Sequence, residues 1–65
     1  MLVAINGEPC DVDAPISVSA LVDLLQLRGR IAVELNGEVV PRGEHSTRLL
    51  QSGDRIEIVR AIGGW

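Results

Sequence analysis

The chain contains no tyrosine, no phenylalanine and a single tryptophan, Trp65, in 65 residues. Its interior must therefore be built from valine, isoleucine and leucine. Lysine is also missing: all six basic residues are arginine, set against nine acidic ones for a net charge of −3. No side chain can offer an amine for isopeptide linkage. Nucleic-acid binding draws on basic patches and stacking rings, so no nucleic-acid partner is expected. The negative balance suits a partner of opposite charge. One cysteine, Cys10, excludes an internal disulfide and a multi-cysteine metal centre. No apolar run reaches membrane-spanning length and no leader pattern is present, so the expectation is a cytoplasmic protein with no membrane partner. A chain this short makes one domain, burying about 60% of its unfolded surface, with little room for an enclosed catalytic pocket.

What is present reads as strands around one helix. Met1 to Asn6 is a strand, and Asn6-Gly7 is the dipeptide of a tight hairpin turn, where both central residues need positive φ. Pro9 to Asp13 returns, with Cys10 and Val12 on one side and Asp11 and Asp13 on the other. Ser17 is placed to cap a helix from Val18 to Leu27, whose stripe is Val18, Leu21, Val22, Leu24 and Leu25. Arg28 falls in its last turn and Gly29 at the left-handed stop. Arg30 to Leu35 is a third strand, turned by Asn36-Gly37 into Glu38–Val40. A polar connection follows, with a short 3₁₀ turn near Glu44–Ser46 and with Leu49 and Leu50 pinned to the core. Arg55 to Ile62 is the last strand, Ile56 and Ile58 inward.

The order β-β-α-β-(β)-β leaves one helix to cover one face of one sheet, since nothing else can bury its stripe. The crossover then brings a later strand parallel to the first. This is an α+β architecture, the ubiquitin-like β-grasp: a mixed sheet of four to five strands covered on one face by one helix. Residues 1–62 form the domain and residues 63–65 a flexible C-terminal tail.

No acid–base or nucleophile pair can be assembled from this inventory, which argues against an enzyme and leaves the catalytic set empty. His45 reads as a solvated loop histidine and Cys10 as a small hydrophobe. Asp11 and Asp13 alternate on a strand's outer face and read as solvated carboxylates; no metal site is expected. The tail is the informative place. A carboxylate on a side-chain-free Gly63-Gly64 stem can enter a narrow partner site where any Cβ would clash. The body must then supply the docking energy. A frayed end without function is the plain alternative.

Four segments carry a family resemblance over nearly the whole chain. They are Leu2-Val-Ala-Ile-Asn-Gly-Glu, the Ser17-led helix with Leu21, Leu24 and Leu25, Val33-Glu-Leu-Asn-Gly-Glu-Val-Val-Pro-Arg42, and Ser52-Gly-Asp-Arg-Ile-Glu-Ile-Val-Arg-Ala-Ile-Gly-Gly64. Together they resemble the ThiS family, the bacterial sulfur carriers of thiamine biosynthesis. The resemblance implies a carrier that binds no cofactor itself. An E1-like adenylyltransferase uses ATP to adenylate the terminal glycine, a sulfur donor protein converts it to a thiocarboxylate, and thiazole synthase takes the sulfur. By position, Gly64 holds the reacting carboxyl, Gly63 gives clearance, and Val59, Ala61 and Ile62 are partner contacts.

Trp65 departs from the family pattern, which ends in glycine. Three explanations stand: a peptidase trims it, it is an added or substituted residue, or the tail is not an activatable substrate. In each case the chain as written is expected to be inactive as a thiocarboxylate carrier. Two other functions compete with thiazole formation: a carrier serving molybdopterin or cysteine synthesis, and a β-grasp interaction module that carries nothing.

Overall fold

The computed structural model describes residues 1–27 and 29–60. Its elements are β1 (Leu2–Ile5), β2 (Glu8–Asp11), α1 (Val18–Leu24), β3 (Ile31–Leu35), β4 (Glu38–Val39), a 3₁₀ turn (Arg42–Glu44) and β5 (Arg55–Arg60). They form one five-stranded sheet in the order β2-β1-β5-β3-β4. β5 runs parallel to β1 and antiparallel to β3, so the last strand is the central one. Both hairpins turn on asparagine–glycine with positive φ throughout: 50° and 84° at Asn6-Gly7, 53° and 88° at Asn36-Gly37. That handedness matches the twist of the flanking strands.

The core is aliphatic. Val3, Val12, Val18, Leu21, Val33, Leu35, Val40, Leu50 and Ile56 are buried, with Ile5, Cys10, Ile16, Val22, Ile31 and Ile58 packed partly against them. A seven-residue helix is too short to persist alone in water. α1 is held by Val18 and Leu21, both fully buried, each side chain stabilising the fold by about 1.5–3 kcal/mol. Its first-turn donors are all taken. Val18 N–H donates to Arg48 O, Ser19 N–H to His45 O, and Ala20 N–H to Ser17 Oγ, at 2.8–3.0 Å. Ser17 is thus the cap that the sequence implies.

The helix is shorter than its periodicity suggests. It stops at Leu24, and Gln26, not Gly29, takes the left-handed position, with φ 58°. Gln26 N–H donates to Asp23 O and Leu27 N–H to Val22 O, the paired bonds of a Schellman closure. Leu24 lies about 120° around the helix from Val18 and is 62% exposed. Leu25 is in line with Val18, but as the C-cap it sits at the helix end and stays exposed. Arg28 lies outside the described residues. The 3₁₀ turn begins at Arg42, two residues earlier than expected.

Two further expectations change. Ser17 bridges Leu49, and Leu50 N–H donates to Ile16 O, so residues around 49 are extended and adjacent side chains alternate. Leu50 therefore points into the core while Leu49 is exposed. His45 is not a freely solvated loop residue. It is partly buried, its Nε2 lies 3.0 Å from Val40 O, and its carbonyl accepts the Ser19 N–H. It ties the 3₁₀ segment both to the end of β4 and to the helix N-terminus.

Candidate functional site: the last strand and its open face

β5 is fixed from both sides by the two hairpin turns. On the β1 side, Asn6 N–H donates to Ile56 O at 2.8 Å, continuing the backbone ladder. The Asn6 side chain then replaces the next rung: Oδ1 accepts from Ile58 N–H at 2.8 Å and Nδ2 donates to Ile58 O at 3.3 Å. On the β3 side, Asn36 Oδ1 accepts from Arg55 N–H at 2.9 Å while Asn36 N–H donates to Arg55 O at 2.8 Å. Asp54 completes this end. Its Oδ1 accepts from Asn36 Nδ2 at 3.1 Å and its Oδ2 from Gln51 N–H at 2.7 Å. The sequence marks both asparagines as turn formers. That they also clamp β5 depends on β5 being central, which local spacing does not reveal.

Ile56 and Ile58 face the helix, as expected: Ile56 is buried and Ile58 is partly so. Arg55, Glu57 and Val59 therefore face the other way, onto the side of the sheet that no helix among the described residues covers. Register places Ala32 opposite Val59 and Glu34 opposite Glu57, with Val39 beyond Glu34 on β4. Ala4 pairs Arg55, and Leu2 and Pro9 complete the face on β1 and β2. Three of its aliphatic residues are well exposed: Leu2 at 57%, Val39 at 68% and Val59 at 45%. Glu34, Gly37, Arg55 and Glu57 line a shallow hollow of about 160 Å³. On the opposite side, a groove of about 280 Å³ lies at the end of β5 between Ile5, Leu25, Leu27, Ile31, Ile58 and Arg60.

Among the sequence-derived site residues, Val59 is an exposed residue of the open face near the end of β5. Ala61, Ile62, Gly63 and Gly64 lie outside the described residues. Cys10 is partly buried against the core, opposite Val3. Asp11 accepts a hydrogen bond from the N-terminal ammonium at 2.9 Å, and Asp13 is exposed. No group of three or more metal-ligating side chains comes together among the described residues. No helix among them is long and apolar enough to cross a membrane.

A mixed five-stranded sheet with one helix on one face and its last strand at the centre defines the ubiquitin-like β-grasp class. Within that class the ThiS family model matches residues 3–64, and the chain belongs to the ThiS family. The crystal structure of a thiamine biosynthesis protein (ThiS) from Geobacter metallireducens superposes with a TM-score of 0.86, at 32% identity and full coverage of both chains. An uncharacterized protein, ycf40, of Pyropia yezoensis is 35% identical over 63 residues, 95% of this chain and 89% of that one. A thiazole synthase of Paramagnetospirillum magneticum is 40% identical over 65 residues, 98% of this chain. The chain spans only 20% of that protein's length, and the same share of the thiazole synthase of Magnetococcus marinus.

Proposed function

We propose that this protein is a sulfur carrier for thiazole formation in thiamine biosynthesis, working through the carboxyl group of Gly64. The family match running to residue 64 carries this reading, because it includes both tail glycines. The chemistry balances in three steps. An E1-like adenylyltransferase joins the Gly64 carboxylate to the AMP moiety of ATP and releases pyrophosphate. Sulfur released by a donor protein at the sulfide level, as HS−, attacks the acyl carbon, AMP leaves with the bonding pair, and the S–H proton passes to solvent, giving a thiocarboxylate. Thiazole synthase then takes the sulfur. ATP belongs to the adenylating partner, and the carrier holds no cofactor. Activation requires a free carboxyl on Gly64, so it proceeds on a chain ending there and not while Trp65 follows in peptide linkage.

The physical role of the fold is to hold β5 still at the base of the tail. Glycines without side chains need an ordered body to deliver their carboxyl, and the Asn6 and Asn36 clamps supply it. Val59, Ala61 and Ile62 act as partner contacts beside that base. The thiazole synthases that contain a stretch 38–40% identical to this chain favour thiazole synthase as the recipient over a carrier role in molybdopterin or cysteine synthesis.

Complementation tests the reading. In a thiazole-requiring strain lacking its own carrier, a chain ending at Gly64 restores growth without added thiazole. Deletion of residues 63–65 abolishes it while the fold is retained. Growth supported equally by the deleted form would mark the protein as an interaction module that carries nothing.

A further inference from the structure

The groove at the end of β5 has an apolar interior that no described residue fills. Ile5 closes β1, Leu25 and Leu27 follow the helix, Ile31 opens β3 and Ile58 lies on β5; these five aliphatic side chains line it, and Arg60 borders them. None of the five is fully buried, so each keeps apolar surface in contact with water. A volume of about 280 Å³ is below the range of small-molecule sites and suits one large side chain. Residues 61–65 follow Arg60 outside the described part of the chain, and they include its only aromatic side chain, Trp65. The carrier chemistry has no use for that indole.

Strand parity shows on which side of β5 a returning tail would run. Asn6 N–H donates to Ile56 O, and Asn6 Oδ1 accepts from Ile58 N–H, so the even residues of β5 turn their backbone polar groups toward β1. β1 ends at Ile5, so beyond Ile58 that flank has no neighbouring strand among the described residues, whereas β3 still pairs Arg60 through Ile31. Ile62 has the same parity as Ile58. Gly63-Gly64 is the third dipeptide of this chain suited to a two-residue hairpin, since glycine takes positive φ at both central positions. Closed across Ile62 and Trp65, that hairpin returns along the open flank. Directly opposed residues share a face, so the indole lands on the side of Ile58 and Arg60, about 7 Å beyond Arg60 along the strand. We infer that Trp65 folds back across Gly63-Gly64 and docks its indole in this groove, against Leu25, Leu27 and Ile58 and beside the Arg60 guanidinium. A guanidinium near an indole face adds a cation–π attraction. The contact is a latch. In the carrier reading, on which only this consequence rests, it holds the tail against its own body until Trp65 is removed.

Trp65 is its own reporter, because the chain has no other tryptophan and no tyrosine. The full chain is measured by fluorescence, with acrylamide as quencher. Its emission lies to the blue of the same chain in urea, and quenching is several-fold weaker. Leu25→Gln and Leu27→Gln each move the emission toward the unfolded value while the circular dichroism of the fold is kept. Gly63→Val does the same by barring the left-handed backbone at the turn. Leu24→Gln, at an exposed residue outside the groove, leaves the emission unchanged. Nuclear Overhauser contacts join the indole to the Leu27 and Ile58 methyls. An indole as exposed as in urea, or one shielded but indifferent to the groove and turn substitutions, overturns the latch. So does shielding that appears only as protein concentration rises, which places the indole on a second copy. None of these outcomes touches activation of a chain ending at Gly64, so the carrier reading stands or falls separately, by complementation.

Discussion

Asn6 holds a positive φ of 50° and bonds both polar backbone groups of Ile58 with one side-chain amide. These two demands can be separated by substitution. Asn6→Gly keeps the turn's handedness and removes the clamp, costing about 1 kcal/mol for two exposed hydrogen bonds. Asn6→Ala also forces a side chain with Cβ into the left-handed region, adding about 1 kcal/mol or more. Urea denaturation of the pair checks the order: alanine is the less stable. Equal stability of the two would mean that backbone conformation contributes nothing at this turn. In the ThiS-type reading the glycine variant has a second consequence. It loosens β5 at the base of the tail, so its adenylation slows more than its stability loss alone requires.

At the level of elements, α1 is a short helix whose ends are fixed by specific bonds and whose middle is fixed by two side chains. Ser17→Ala costs about 1 kcal/mol, the usual worth of a serine cap. Leu21→Ala costs about 2–5 kcal/mol because Leu21 is fully buried under the sheet. Leu24→Ala stays within about 0.5 kcal/mol despite the same chemistry, since Leu24 faces solvent. Thermal or urea unfolding of the three variants checks this ranking. It also shows where the sequence was legible. The asparagine–glycine turns, the Ser17 cap and the alternation of Ile56 with Glu57 are local signals and were readable. The crossover rule implies a later strand parallel to the first, and the fold shows that this strand is β5. The length of α1 was not readable, because Leu24, Leu25 and Leu27 continue the apolar pattern past the point where Gln26 adopts left-handed backbone. The anchoring of His45 is not legible in the sequence for a related reason. Its partner, Val40 O, becomes available only once the 3₁₀ turn folds back on β4. Of the site, Val59 comes from the family resemblance, and its exposure agrees with the alternation set by inward Ile56 and Ile58. The facing of Glu34 and Glu57 is not legible, because their opposition depends on the β3–β5 register.

For the whole molecule, the fold places its last strand in the middle of the sheet, clamps it on both edges and keeps one face uncovered. No group of three or more metal-ligating side chains comes together among its described residues, and in the proposed function such a body delivers a carboxyl terminus to other proteins. In the proposed function the chemistry belongs to the Gly64 carboxyl and the body of the fold supplies the partner contacts. Intact-mass spectrometry tests this most directly. A chain ending at Gly64 and the chain ending at Trp65 are each incubated with the adenylyltransferase, ATP and a sulfide source. The account predicts that the Gly64 form gains the mass difference of one sulfur for one oxygen and that the Trp65 form keeps its mass. Sulfur incorporated into a chain that still ends in Trp65, or into neither chain under conditions where the adenylyltransferase binds both, would contradict it.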